Sequence, residues 1–195
     1  MLRHFNSRII GGLRTEKLRT KYIYMNIQDN YSAEDWERIN LLPSVVGAAT
    51  ACAGTNGLFG MVKESMSSVQ TMLAGVKLYP DNQLIKAVSP DMTDRQAAKQ
   101  TAMAQREAFK TKLKNAGIKK REDLMRLALD ETMSVMKTLP AGANEQEIAE
   151  FKEWIQSIAQ KVAESAKEGG FLGFGGTAVS ESEQQFLDDL KLALG

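Results

Sequence analysis

Between Ile39 and Val62 the chain runs for 24 residues without a charged side chain. A run of that length either packs inside a protein or crosses a bilayer, for which about 20 apolar residues suffice. Its composition separates the two. Ala and the residues Gly47, Gly54, Gly57 and Gly60 dilute the apolar content, and Asn40, Pro43 and Asn56 interrupt it. Ala and Gly add little transfer energy, and Asn opposes insertion. Gly47 with Ala51, and Ala49 with Ala53, stand four apart, so one helical face is small enough for a neighbouring helix to approach closely. We read the run as a buried, tightly packed first helix, and no integral membrane span is expected.

Helix-start signals organise the rest. Ser, Thr or Asn followed three residues later by an acid or amide allows the two side chains to satisfy each other's free backbone N–H groups. Such pairs occur at Ser32–Asp35, Thr93–Gln96, Asn144–Glu147 and Ser180–Glu183. Each precedes apolar residues at helical spacing. After Asn144 these are Ile148, Phe151, Ile155, Ile158 and Val162, and after Ser180 they are Phe186, Leu187, Leu190 and Leu194. Gly117 and Gly169–Gly170 stand where helices should stop, and Pro80, Pro90 and Pro140 fall between segments. Helices are expected over 32–53, 61–79, 82–89, 93–116, 119–139, 144–168 and 180–194. No alternating strand pattern of useful length is present. The fold class is all-α, an up-and-down bundle of five to six main helices in one domain, 32–195. Helix 119–139 is apolar on most sides (Leu124, Met125, Leu127, Leu129, Met133, Val135, Met136), which places it at the centre.

Charge is unevenly distributed. Residues 1–24 hold six basic side chains against Glu16 alone, a net +5, while the remainder holds 19 basic and 23 acidic residues, a net −4. Residues 1–31 are read as a basic leader, with three readings open for its first part: a disordered tail, a targeting peptide, or sequence upstream of a start at Met25. The whole chain at +1 carries no nucleic-acid signature, so no nucleic-acid partner is expected.

Most familiar chemistry is closed off. With one Cys and one His, Cys52 and His4, neither a Cys-cluster metal site, a His-based triad nor a Glu-x-x-His di-iron site can be assembled in the usual way. No phosphate-binding P-loop and no nucleophile elbow is present. Carboxylate pairs such as Asp130–Glu131 read as solvated helix faces. No catalytic residue, metal ligand or cofactor is expected, and the protein is read as a non-enzyme.

Three features remain. Gly169, Gly170, Phe171, Leu172 and Phe174 lie in one Gly/Phe segment, and Leu58 and Phe59 lie in another. Around Gly117 a basic run, Lys110, Lys112, Lys114, Lys119, Lys120 and Arg121, has no acid between Glu107 and Glu122. A strict up-and-down count places all three at one end of the bundle. Apolar tips beside Lys112, Lys114, Lys119, Lys120 and Arg121 would suit an acidic protein partner with an apolar anchor, self-association, or peripheral contact with an anionic membrane. The leading expectation is an interaction or scaffold module docking through the Gly/Phe loops. The alternative is a carrier or sensor for a small apolar or lipid-like ligand, with Met61, Met66, Met125, Met133 and Trp154 as wall residues.

The run from Val162 to Glu183, with Ala166-Lys-Glu-Gly-Gly-Phe-Leu-Gly-Phe-Gly-Gly176 and then Ser180-x-x-Glu183, carries a resemblance. Together with Asp35-Trp36, Leu42-Pro43 and the Ala/Gly-rich helix that follows, it resembles a group of bacterial all-helical proteins of uncharacterised activity. The resemblance covers about Met25 to Leu194. It implies a bacterial, cytoplasmic domain starting naturally at Met25, and it carries over no catalytic residue.

Overall fold

The computed structural model describes residues 26–54, 74–168 and 179–195. Among these there is no strand. The helices are α1 (Ala33–Gly54), the short α2 (Gln83–Val88), α3 (Arg95–Asn115), α4 (Arg121–Thr138), α5 (Glu145–Glu168) and α6 (Glu181–Leu194). Helical residues 74–78 precede α2, and single 3₁₀ turns occupy Ile27–Asn30 and Leu139–Ala141. The protein is an all-α single-domain bundle; the limits of the helices expected over 32–53, 82–89, 93–116, 119–139, 144–168 and 180–194 agree to within about two residues, while most of the one expected over 61–79 lies outside the described residues.

The caps explain where the helices begin. The Asn144 carboxamide oxygen accepts from the Glu147 N–H at 3.0 Å, while the Glu147 carboxylate accepts from the Asn144 N–H at 3.1 Å. Ser180 and Glu183 exchange the same pair of bonds. Thr93 does not cap α3. Its N–H and hydroxyl both turn back to the Asp91 carboxylate, and Asp94 caps instead, accepting from Gln96 and Ala97. A carboxylate outcompetes a neighbouring hydroxyl for the same orphan N–H groups. At the other end of α3, Gly117 takes φ +64° and the Ile118 N–H reaches back to the Leu113 carbonyl at 3.2 Å, the glycine stop expected there.

The centre of the bundle is α1, not α4. Ile39, Leu42 and Val46 on one side of α1 join Leu84, Ile85, Phe151, Trp154, Ile155, Ile158 and Leu190. Leu41, Val45, Ala49, Cys52 and Ala53 on its other side join Leu124, Ala128 and Phe186. The small side chains of α1 let helices close on it from both sides, and Thr50 satisfies its buried hydroxyl on the Val46 carbonyl. Pro43 is carried inside α1, buried. By contrast α4 leaves Met133 exposed and Met125, Leu127 and Leu129 half-buried. From Ile39 to Ala53 α1 is uncharged on every side, whereas α4 carries Arg126, Asp130 and Lys137 on an exposed face, and that difference puts α1 inside.

Antiparallel neighbours are pinned at their ends. The Tyr31 hydroxyl donates to the Leu139 carbonyl at 2.9 Å, and Arg38 donates to the Ser134 hydroxyl at 3.0 Å, joining the start of α1 to the end of α4. The Ser182 hydroxyl donates to the Ala53 carbonyl at 2.8 Å, joining the end of α1 to the start of α6. Among the described residues, which take in 39–54 of the uncharged run, no helix is long and apolar enough to cross a membrane.

Candidate functional site

Two places bear on the residues that the sequence singled out. The first is the junction of α1 with α6. Gly54 closes α1 against the Glu183 side chain, where any β-carbon would meet the carboxylate. Glu183 is itself held on the Ser180 N–H and hydroxyl, both at 2.8 Å. The end of α1 and the first turn of α6 are therefore in direct contact. Leu58, Phe59, Gly169, Gly170, Phe171, Leu172 and Phe174, with Met61 and Met66, lie outside the described residues.

The second place is a cleft of about 290 Å³ between the first turns of α1, the last turns of α3 and the middle of α4. Glu34, Glu37, Arg38, Thr111, Lys112, Asn115, Ala116, Leu127 and Glu131 line it. The Lys112 ammonium sits 2.8 Å from Glu131 Oε1, and these two side chains are only 16% and 11% exposed. Lys112 thus leaves the basic surface run to which it was assigned. Glu131 likewise departs from the solvated-face reading: Asp130 beside it is exposed, whereas Glu131 is buried. Its register explains this. Leu124, Ala128, Glu131 and Val135 follow helical steps of four, three and four, so Glu131 belongs to the inward face. That spacing was the signal available in the sequence.

Arg38 completes the wall, 2.7 Å from Glu34. The hydrogen bond to Glu34 pushes its pKa above the ordinary value against the effect of burial, and the nearby Glu131 charge adds to the rise. On Glu131 the second oxygen, Oε2, is buried and has no hydrogen-bond partner. Of the remaining basic residues, Lys110 pairs with Glu107 at 2.7 Å and Arg121 with Glu122 at 2.8 Å, while Lys114, Lys119 and Lys120 are exposed. Lys119 and Lys120 also direct their N–H groups to the Asp123 carboxylate, which starts α4 and holds its own pKa low through those bonds.

The described wall residues of the apolar-ligand reading do not face one space. Trp154 is 1% exposed in the α5 side of the core, edge-on to Phe151 at a ring separation of 5.6 Å. Met125 packs on the other core cluster, and Met133 faces outward. Among the described residues no group of three or more His, Cys, Asp or Glu side chains could hold a metal ion. No protein-family model, no curated protein and no solved structure matched this chain.

Proposed function

We propose that the protein is a non-enzymatic interaction module that engages a protein partner through its two Gly/Phe segments. The observation that supports this reading is the Ser182–Ala53 bond, which ties the end of α1, where one Gly/Phe segment begins, to the start of α6, which the other precedes. Leu58 follows Gly54 by four residues and Phe174 precedes Val179 by five. The two segments together carry five large apolar side chains, Leu58, Phe59, Phe171, Leu172 and Phe174, and neither 54–60 nor 169–176 contains a charged residue. An apolar anchor of that kind, rimmed by polar helix ends, is the anatomy of a recognition patch.

A photo-crosslinking amino acid placed at Phe59 or Phe171, with Leu78 as an exposed control position, tests the reading. The expected result is one discrete adduct shared by Phe59 and Phe171 in the native host and missing at Leu78. The same ladder from all three positions would refute it. Phe171→Ser with Leu172→Ser should abolish the adduct formed from Phe59.

A further inference from the structure

The cleft between α1, α3 and α4 uses none of the residues of the proposed docking segments. Its wall holds three carboxylates, Glu34, Glu37 and Glu131, against two cations, Arg38 and Lys112. Both cations are engaged: Arg38 on Glu34 and Ser134, Lys112 on Glu131 Oε1. What is left over is acceptors. Glu131 Oε2 is enclosed without a partner in a residue only 9% exposed. Glu37 is exposed, on the same helix as Glu34 and Arg38. The last turn of α3, ending at Asn115 and Ala116, adds the negative end of a helix dipole to the same wall. Each unmet group therefore calls for a positively charged hydrogen-bond donor. An unpaired carboxylate oxygen in a poorly solvated site is costly until such a donor arrives.

Size and lining narrow the donor. About 290 Å³ corresponds to roughly ten water volumes. Leu127 and Ala116 supply apolar surface between the charged groups. We propose that this cleft binds a short aliphatic diamine, with one ammonium on Glu131, the other on Glu37, and the methylene chain along Leu127. Lys112 acts as the internal placeholder. Its compact ammonium rides on a four-carbon stem that can swing out to water, so a ligand ammonium takes over the Glu131 carboxylate as Lys112 yields. Replacing Lys112 by Met then leaves Glu131 with only the Arg38 charge near it, a shortfall that an added diamine can offset.

The probe is 1,4-diaminobutane, used on the full chain at low ionic strength. Calorimetric titration is expected to show one site, weakened at least about tenfold in both Glu131→Gln and Glu37→Gln, because each substitution removes one ionic contact. Butylamine, with a single ammonium, is expected to bind correspondingly more weakly. In Lys112→Met the diamine is expected to raise the melting temperature by several degrees more than in the parent protein, and NaCl of equal ionic strength is not. Absence of heat up to about 10 mM diamine overturns the proposal, as that limit lies beyond any specific affinity for so small a ligand. So does equal binding by the two Gln variants and the parent, or rescue of Lys112→Met by NaCl alone. Should Glu131→Gln fail to fold, Glu37→Gln, on an exposed side chain, decides the matter.

Discussion

Replacing Gly75 by Ala is expected to be among the most damaging single-methyl additions in this protein. Gly75 is buried in the helical segment 74–78, and a β-carbon there lands on the indole Nε1 and Cδ1 edge of Trp154. Neither partner can withdraw cheaply. Trp154 is 1% exposed and wedged among Phe151, Ile155 and Ile158, while Val76 and Tyr79, flanking Gly75, pack on the same cluster. The protein must rotate a buried indole off its rotamer or lift residues 74–79 from α5. Overpacking costs about 1–3 kcal/mol, and a clash with a ring edge rather than a chain tip belongs at the upper end. About 3 kcal/mol lowers the melting temperature of a domain this size by about 6–12 °C. Gly117→Ala is the internal comparison. Nothing lies within 4 Å of its added β-carbon, so only the φ of +64° opposes it, at about 1 kcal/mol. In a Trp36→Phe background, emission reports Trp154 alone. Gly75→Ala should redden that emission and lower stability in urea, whereas Gly117→Ala should do neither to a comparable degree. A Gly75→Ala protein within about 1 kcal/mol of its parent with unshifted emission, or a larger loss for Gly117→Ala, would refute the packing account.

Three further outcomes follow from the hydrogen bonds. Asp94→Ala should cost about 1 kcal/mol and Thr93→Ala under about 0.5 kcal/mol by urea denaturation, since Asp94 carries both cap bonds of α3 and Thr93 only a surface turn. Asn82, 1% exposed, caps α2 at Ile85 and donates to the Glu147 carbonyl and the Glu150 carboxylate. Asn82→Ala should cost about 2–3 kcal/mol. It should also let the Glu150 carboxyl, now held low first by Asn82 and then by Gln146, rise toward its ordinary range in an NMR titration. The Tyr31 phenol is pushed up to about 12 by burial and by the nearby Glu147 charge. A raised folded-state value gives stability that is complete below pH 10 and lost as pH climbs from about 10 through 12. Absorbance at 295 nm should show this late titration, and Tyr31→Phe should flatten the alkaline loss of stability; an unchanged alkaline limb contradicts the assignment.

How far the fold was legible depended on how local its causes are. Asn144 and Ser180 could be read as helix starts because each cap is completed within three residues. Thr93 misled because two cap candidates stand side by side, and the arbiter, Asp91, acts from outside the helix. The burial of α1 could be read from its uncharged run, but its precedence over α4 could not. It comes from Ala49, Cys52 and Ala53 admitting α4 and α6 closely, a property of pairs of helices rather than of one. The two Gly/Phe segments stand out in the sequence but lie outside the described residues; the structure adds the Ser182–Ala53 bond between the helices that adjoin them. The cleft was obscured for a different reason. Lys112 read as one of a basic run and Glu131 as half of an acidic pair, so each resembled ordinary surface charge until the α3–α4 turn brought them to 2.8 Å.

The bond between Ser182 and Ala53 spans 129 residues of chain, and Phe186, Leu187, Leu190 and Leu194 of α6 complete the cover over α1. During synthesis α1 therefore leaves the ribosome long before the residues that will sheathe it. At about 5–20 residues per second, the part of its uncharged surface that α6 covers waits on the order of ten seconds, after α4 and α5 have already emerged. Over that interval the small side chains that later admit close packing also give nascent α1 little to grip in a wrong partner, and its burial becomes irreversible in practice only when α6 arrives. A chain shortened before Ser180 should consequently be a client of holdase chaperones rather than a smaller version of the same bundle.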